Sequence, residues 1–374
     1  MKQIDPKIRK ITWALPAVKI SECAALRLPV HAFCSMLAGH AHYTSVNALA
    51  RGEKALTVRF PAHRDNKSDG FLLLDQGDKG LDVFLADGGL ATGESLQALL
   101  SLRERILTEN GLAAQVKSPR YKLEITLLIS HFHIDHVNAL IQQVLPCRKF
   151  IRIKAAYYPQ ISAYAKDKNH LLAHDGDVSH RANFLRVAAC YQPLMEKREI
   201  PFAQTLCLPL QNGELQFFAQ PKDWGEAEGV QFFKDHYHKN DPQKAFDSLS
   251  VAVVNANSLW MRAQAYGKSV LLTGDTTKKF AQYEEALDVM IARYGDMLRS
   301  DIVKMPHHGF KRNKAVPLVV QHLLRRSADE CVVLTALEGN AHTGVPLREM
   351  NVPHACNKDG EITFTLSAHG IARL

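Results

Sequence analysis

At 374 residues, 46% hydrophobic and 22% charged, the chain can bury a large core, in one big domain or two smaller ones. No stretch approaches the roughly 18 uninterrupted apolar residues of a membrane helix, which excludes a helical membrane span. The net charge of +8 suits a polyanionic partner.

The apolar stretch over residues 11–38 is interrupted by Lys19, Glu22, Arg27 and His31, so no secretion signal is expected. Seven cysteines are scattered at positions 23, 34, 147, 190, 207, 331 and 356, with no Cys-x-x-Cys. That usage fits reduced thiols and a cytoplasmic location. Strand-like runs are expected at residues 55–60, 71–74, 83–85, 125–129, 150–154, 215–219, 250–254, 269–273, 301–305, 331–335 and 362–366. Helical patterns lie at 93–108, 137–144, 277–294 and 316–326. Two blocks of strands with interleaved helices point to two packed sheets with helices outside, each half of the chain supplying one sheet. A helical, polar insertion is expected over about residues 155–204, and a charged loop over about 226–244.

Chemistry concentrates where apolar runs end. After Ile125-Thr126-Leu127-Leu128-Ile129 comes Ser130-His131-Phe132-His133-Ile134-Asp135-His136. Three histidines and a carboxylate in so short a loop are ligands that divalent metals take when they activate water. If strand turns into helix here, His131 and His133 point one way, and Asp135 and His136 can serve an adjacent spot. A second apolar run ends in Thr273-Gly274-Asp275, where the carboxylate could bridge two cations or cap a helix. A third ends in Met305-Pro306-His307-His308-Gly309. Successive side chains of an extended chain face opposite ways, so one histidine is expected as a ligand and the other beside it or on substrate. His307 is the preferred ligand. His342 could protonate a leaving group or contact phosphate. Asp87, before two glycines, could orient a metal-binding loop.

The spacing His-x-His-x-Asp-His resembles that of the metallo-β-lactamase fold superfamily. Further segments resemble the soluble hydrolase domain of the competence protein ComEC and its stand-alone relatives. These are Asn255 to Leu259, Leu271 to Asp275, Asp301 to Gly309, Asn340 to Pro346 and Asp359 to Phe364. The chain departs from that pattern at Ala341-His342-Thr343-Gly344, and Phe310 replaces a serine after His-His-Gly. Asp247-Ser248-Leu249 and Asn257-Ser258-Leu259 both match the Asn-Ser-Leu segment.

The resemblance implies an α/β fold, a four-layer αββα sandwich of two mixed sheets, and a single domain over residues 1–374. It implies two divalent ions, zinc above all, with manganese or iron accepted. His131 and His133 would hold one, Asp135, His136 and His307 the other, with Asp275 between them. A remaining ligand is sought among His170, His174, His180, His236, His238 and Asp223. The implied activity is metal-dependent hydrolysis, most specifically of DNA or RNA phosphodiesters, with Asp135 and His342 catalytic. Lys311, Arg312 and Lys314, directly after His308, would meet flanking phosphates and Phe310 a base. The alternatives are hydrolysis of a small phosphodiester, ester or amide, or service as a metal-binding subunit of a larger, defence-related complex. A protein partner or homo-oligomer fits either.

Overall fold

The computed structural model describes residues 43–62, 69–160, 176–224, 253–276, 281–309, 316–335, 344–357 and 360–374. Tyr43–Leu374 forms one compact unit, and residues 1–42 lie outside the described residues. The first sheet contains β1 (Thr44–Ser45), β2 (Ala55–Phe60), β3 (Phe71–Gly77), β4 (Gly80–Ala86), β5 (Tyr121–Leu128), β6 (Ile151–Pro159) and β7 (Glu196–Ile200). The second contains β8 (Thr205–Pro209), β9 (Gly213–Phe218), β10 (Trp260–Ala265), β11 (Lys268–Leu272), β12 (Ile302–Lys304), β13 (Cys331–Leu334) and β14 (His354–Cys356). The C-terminal pair β15 (Ile362–Ser367) and β16 (Gly370–Arg373) returns to the first sheet, beside β2.

Both sheets are mixed in the same way. β15, β2, β3 and β4 pair antiparallel, whereas β4, β5, β6 and β7 pair parallel. Likewise β8 to β11 run antiparallel and β11 to β14 parallel. The parallel strands read as near-continuous apolar runs because they are covered on both faces, as in Cys331-Val332-Val333-Leu334, every residue of which is buried.

Alternation along the strands divides the core into three layers. Phe71 and Leu73 of β3 join Phe217, Met261 and Phe364 between the sheets, while Leu72 and Leu74 face helices. Those helices are α1 (Glu94–Glu109), α2 (Ile134–Ala139) and α3 (Gly176–Tyr191), which bring in Leu99, Ile106, Val137 and Phe184. On the far side Leu271 and Val303 pack on Leu287 and Met290 of α4 (Ala281–Tyr294), while Val270 and Ile302 face the other sheet. The order of layers is therefore helix, sheet, sheet, helix. Truncating a side chain in the middle layer, such as Phe217, would cost about 3–5 kcal/mol.

The structure differs from the sequence-based expectation in several places, among them the unexpected strands β8, β14 and β16. Val253 and Val254 are helical, and the strand of that region is β10, seven residues further on than Val253. An apolar run next to Asn255-Ala256-Asn257 is read equally well by either period, and the tight turn decides. The stretch 155–204 is not wholly helical: β6 continues to Pro159, α3 follows, and β7 is a strand. Four of the five residues of β7 are exposed, so an edge strand there carries no apolar pattern to read. The halves of the chain also do not divide cleanly, since β15 and β16 complete the first sheet. The charged loop over 226–244 lies outside the described residues. No described helix is long and apolar enough to cross a membrane.

Candidate metal centre

Four parallel strands, β4 and β5 in one sheet and β11 and β12 in the other, end on the same cluster of side chains. Carboxyl ends of parallel strands are where open α/β sheets present their loops. After β5 the chain bends at Ser130 and is extended at His133, whose ψ of 153° precedes the first turn of α2. His131 and His133 project from this short connection, and their ring centroids lie 4.7 Å apart. Asp135 and His136 come from the first turn of the helix, and His136 lies 4.0 Å from His131, centroid to centroid.

Asp87 follows β4 with φ of 51° and ties this loop down. It accepts from Ser130 N at 2.8 Å, Ser130 Oγ at 2.7 Å and His136 Nδ1 at 2.9 Å. Because the Ser130 hydroxyl gives its proton to Asp87, it must accept from His131 Nδ1, 3.0 Å away. Both rings thus turn Nε2 inward. Burial, with the neighbouring His136 and His133, holds His131 well below the ordinary histidine pKa, so it is neutral. Replacing Asp87 with asparagine should weaken metal affinity about 10–100-fold, by loosening both rings, with little change in melting temperature. Equilibrium competition against a chromophoric chelator measures it, and unaltered affinity would refute the assignment.

From the other sheet, β11 leads into Gly274, with φ of 56°. A Cβ there would sit 2.8 Å from Ser258 Cβ and 3.1 Å from Ser130 Cβ, so only glycine lets this turn approach the His-rich loop. Asp275 follows, its N–H donating to Ser258 Oγ at 3.2 Å. Leu259 N donates to Ser130 O at 2.8 Å, so the Asn257-Ser258-Leu259 segment joins the two loops. Asp247-Ser248-Leu249 lies outside the described residues.

β12 ends in His307 and His308, with φ of 47° and 59°. Alternation fails here because the backbone is left-handed rather than extended, a strained state that clusters at functional sites. Both rings consequently approach Asp275 Oδ2, His308 Nε2 at 3.4 Å and His307 Nε2 at 3.9 Å. His308 is fully buried and His307 a quarter exposed. His136 Nε2 is also 3.4 Å from Asp275 Oδ2, and Asp135 Oδ2 is 3.5 Å from His308 Nε2. Asp69 has no precedent in the sequence motifs. It precedes β3 in a plain Asp-Gly step, and its Oδ1 accepts from His308 Nδ1 at 3.0 Å. A lone Asp-Gly before an apolar run is a weak signal, shared with ordinary turns.

Charge follows this geometry. Burial opposes protonation of His136, yet the Asp275 and Asp87 carboxylates hold its pKa well above the ordinary value. Burial likewise opposes a charged His308, and Asp69 and Asp275 outweigh it. Burial would raise Asp275 and Asp69, but His308 first of all holds both well below the carboxylate range. Asp135 is lowered to about 2, its burial overcome by the hydrogen bond from His308 and the charge of His136. His307 is pulled down to about 4, burial outweighing Asp275.

The donor set fits a divalent cation. One ligand atom each from Asp69, His136, Asp275 and His308 lies within 4.8 Å of the others, and all four residues are buried. His131 Nε2 is buried with no hydrogen-bond partner, which an inward-facing imidazole of this kind tolerates when a cation is its partner. Of the candidates for a remaining ligand, His180 places Nδ1 3.2 Å from Phe132 O, and Asp223 accepts from Asn257 Nδ2 at 3.1 Å. His170, His174, His236, His238 and His342 lie outside the described residues, as do Phe310, Lys311, Arg312 and Lys314.

No family model matches the sequence. No curated protein matches it either. Among solved structures, the Zn(2+)-bound PqqB from Methylobacterium extorquens is similar at 11% identity and a TM-score of 0.32, over 64% of this chain and 60% of that one. Rm3 metallo-beta-lactamase is similar at 12% identity and 0.31, over 71% and 82%. A beta-lactamase domain protein from Burkholderia ambifaria is similar at 13% identity and 0.30, over 68% and 69%. The match thus spans 60% of the PqqB chain. These structural neighbours are metallo-β-lactamase-fold proteins, and identities and scores this low carry no information about substrate.

Proposed function

We propose that the chain is a metal-dependent hydrolase acting on phosphodiester bonds of nucleic acid, in the manner of the ComEC-like hydrolases its motifs resemble. The observation that carries this reading is the convergence of His131, His136, His308 and Asp275 from three strand ends, with Asp135 at the edge of the cluster. Divalent cations held there, zinc or else manganese or iron, supply Lewis acidity and lower the pKa of water. His131 and His133 would hold one ion and Asp135, His136 and His308 a second, with Asp275 between them.

The residues divide the remaining tasks by exposure. Asp135 is about one-fifth exposed, and its low pKa keeps it a carboxylate at neutral pH, suited to orient an attacking water. His307, lowered to about 4 and therefore neutral at pH 7, is a quarter exposed, suited to hydrogen-bond a phosphate oxygen. Support for a polyanionic substrate is the net charge of +8 and the sequence position of Lys311, Arg312 and Lys314 after the His-His-Gly turn.

The test is incubation of the metal-loaded protein with labelled single- and double-stranded DNA and RNA. Cleavage is expected in the wild type and loss of at least about 1,000-fold in Asp135→Asn, whose shape is conserved. Binding should weaken steeply with salt. Salt-independent turnover of a small ester would replace the nucleic-acid reading. Wild-type turnover in Asp135→Asn would sink the assigned role of Asp135.

A further inference from the structure

Lys304, the last residue of β12, is completely buried. A charge so far from water is stable only when close partners answer it. Here the ammonium pairs with Asp69 Oδ2, lies 3.7 Å from Asp275 Oδ1 and donates to Gly274 O at 3.1 Å. Asp69 is therefore divided between two partners. Asp69 gives Oδ2 to the lysine and Oδ1 to His308 Nδ1. Asp275 turns Oδ1 toward the lysine and Oδ2 toward His136 and His308. Asp69 thus links the lysine to His308.

Resting on the metal-dependent reading above, we propose that Lys304 is a positioning residue of the metal centre: it holds Asp69 against His308 Nδ1, so that the imidazole is fixed with Nε2 turned toward Asp275 and Asp135. The lysine is sealed from solvent and touches no substrate. Its effect reaches the centre through the orientation of one imidazole. A lysine that merely neutralised a buried acid would alter stability and leave the coordination of the metal unchanged.

Cobalt(II) bound to the full chain separates the two, because its visible spectrum reports coordination number and geometry. Lys304→Met releases Asp69 and with it the His308 ring, so the visible bands should change in position and intensity. Affinity for cobalt, from chelator competition, should fall about 10–100-fold. Asp69→Asn keeps the shape and removes the carboxylate that the lysine anchors; it should lower affinity over the same range. The double variant should fall short of the sum of the two, as expected for residues acting as one unit. A Lys304→Met protein that melts cooperatively, with the wild-type cobalt spectrum and affinity, overturns the proposal. Should Lys304→Met not fold, soluble Asp69→Asn with unchanged affinity overturns it. Wild-type protein that takes up no cobalt overturns the metal-dependent reading itself, and this inference with it.

Discussion

His308→Ala is expected to abolish stoichiometric metal binding, while His307→Ala retains it. The two residues are adjacent and chemically identical, so the contrast comes from their surroundings. His308 is buried, donates Nδ1 to Asp69, and aims Nε2 at Asp275 Oδ2 and Asp135 Oδ2. A ring oriented at one nitrogen is preorganised to ligate with the other. His307 is partly exposed and 3.9 Å from the same Asp275 oxygen. Loss of a ligand should exceed the about 10–100-fold that follows loss of an orienting partner. His308→Ala also strips Asp69 of a buried partner, which adds a cost to the fold of about 1–3 kcal/mol. His307→Ala should spare metal content and melting temperature and act on turnover. Metal analysis of the two purified variants decides it, and the reverse pattern would assign the ligand to His307.

Metal affinity is expected to fall steeply with acid. In the metal-free protein His136 and His308 keep their protons to a pH well above the ordinary histidine value, mainly through Asp275, Asp87 and Asp69. A cation at either Nε2 must expel that proton, so protons compete with metal. With two protons displaced, affinity should change by up to about 100-fold per pH unit below those raised values. The metal-free fold should respond in the opposite sense. A histidine whose pKa is raised on folding stabilises the fold fully below the unfolded value of about 6.5. That contribution is lost as pH rises through the folded value. Asp69 and Asp275, held low, contribute above about 3.9 and lose their contribution as pH falls through their folded values. Melting temperature should thus fall with rising pH above neutrality without metal, and rise or hold with zinc present. Parallel pH trends for the two forms would contradict this account.

The strand ends were the legible part of the site. His131 to His136, Gly274-Asp275 and His307-His308 each follow an apolar run, and each is hard to explain as packing. Asp275 and His308 meet because β11 and β12 are parallel neighbours in one sheet, whereas the His-rich loop reaches them from the other sheet, which only the packing of the sheets decides. Lys304 was not legible, since a lysine inside Ile302-Val303-Lys304-Met305 reads as a strand residue turned to solvent. Asp69 was not legible either: it lies 239 residues from His308 in sequence, and only folding makes them partners.

What the sequence by itself determined is the layered α/β architecture and the kind of chemistry, because period-2 burial and strand-end ligands are local properties. What only the tertiary structure decided is the division of labour among identical residue types. His308 differs from His307, and Asp69 from any other Asp before a glycine, through burial, left-handed backbone and partners from the opposite sheet. Those are long-range electrostatic and steric facts, and no local pattern encodes them.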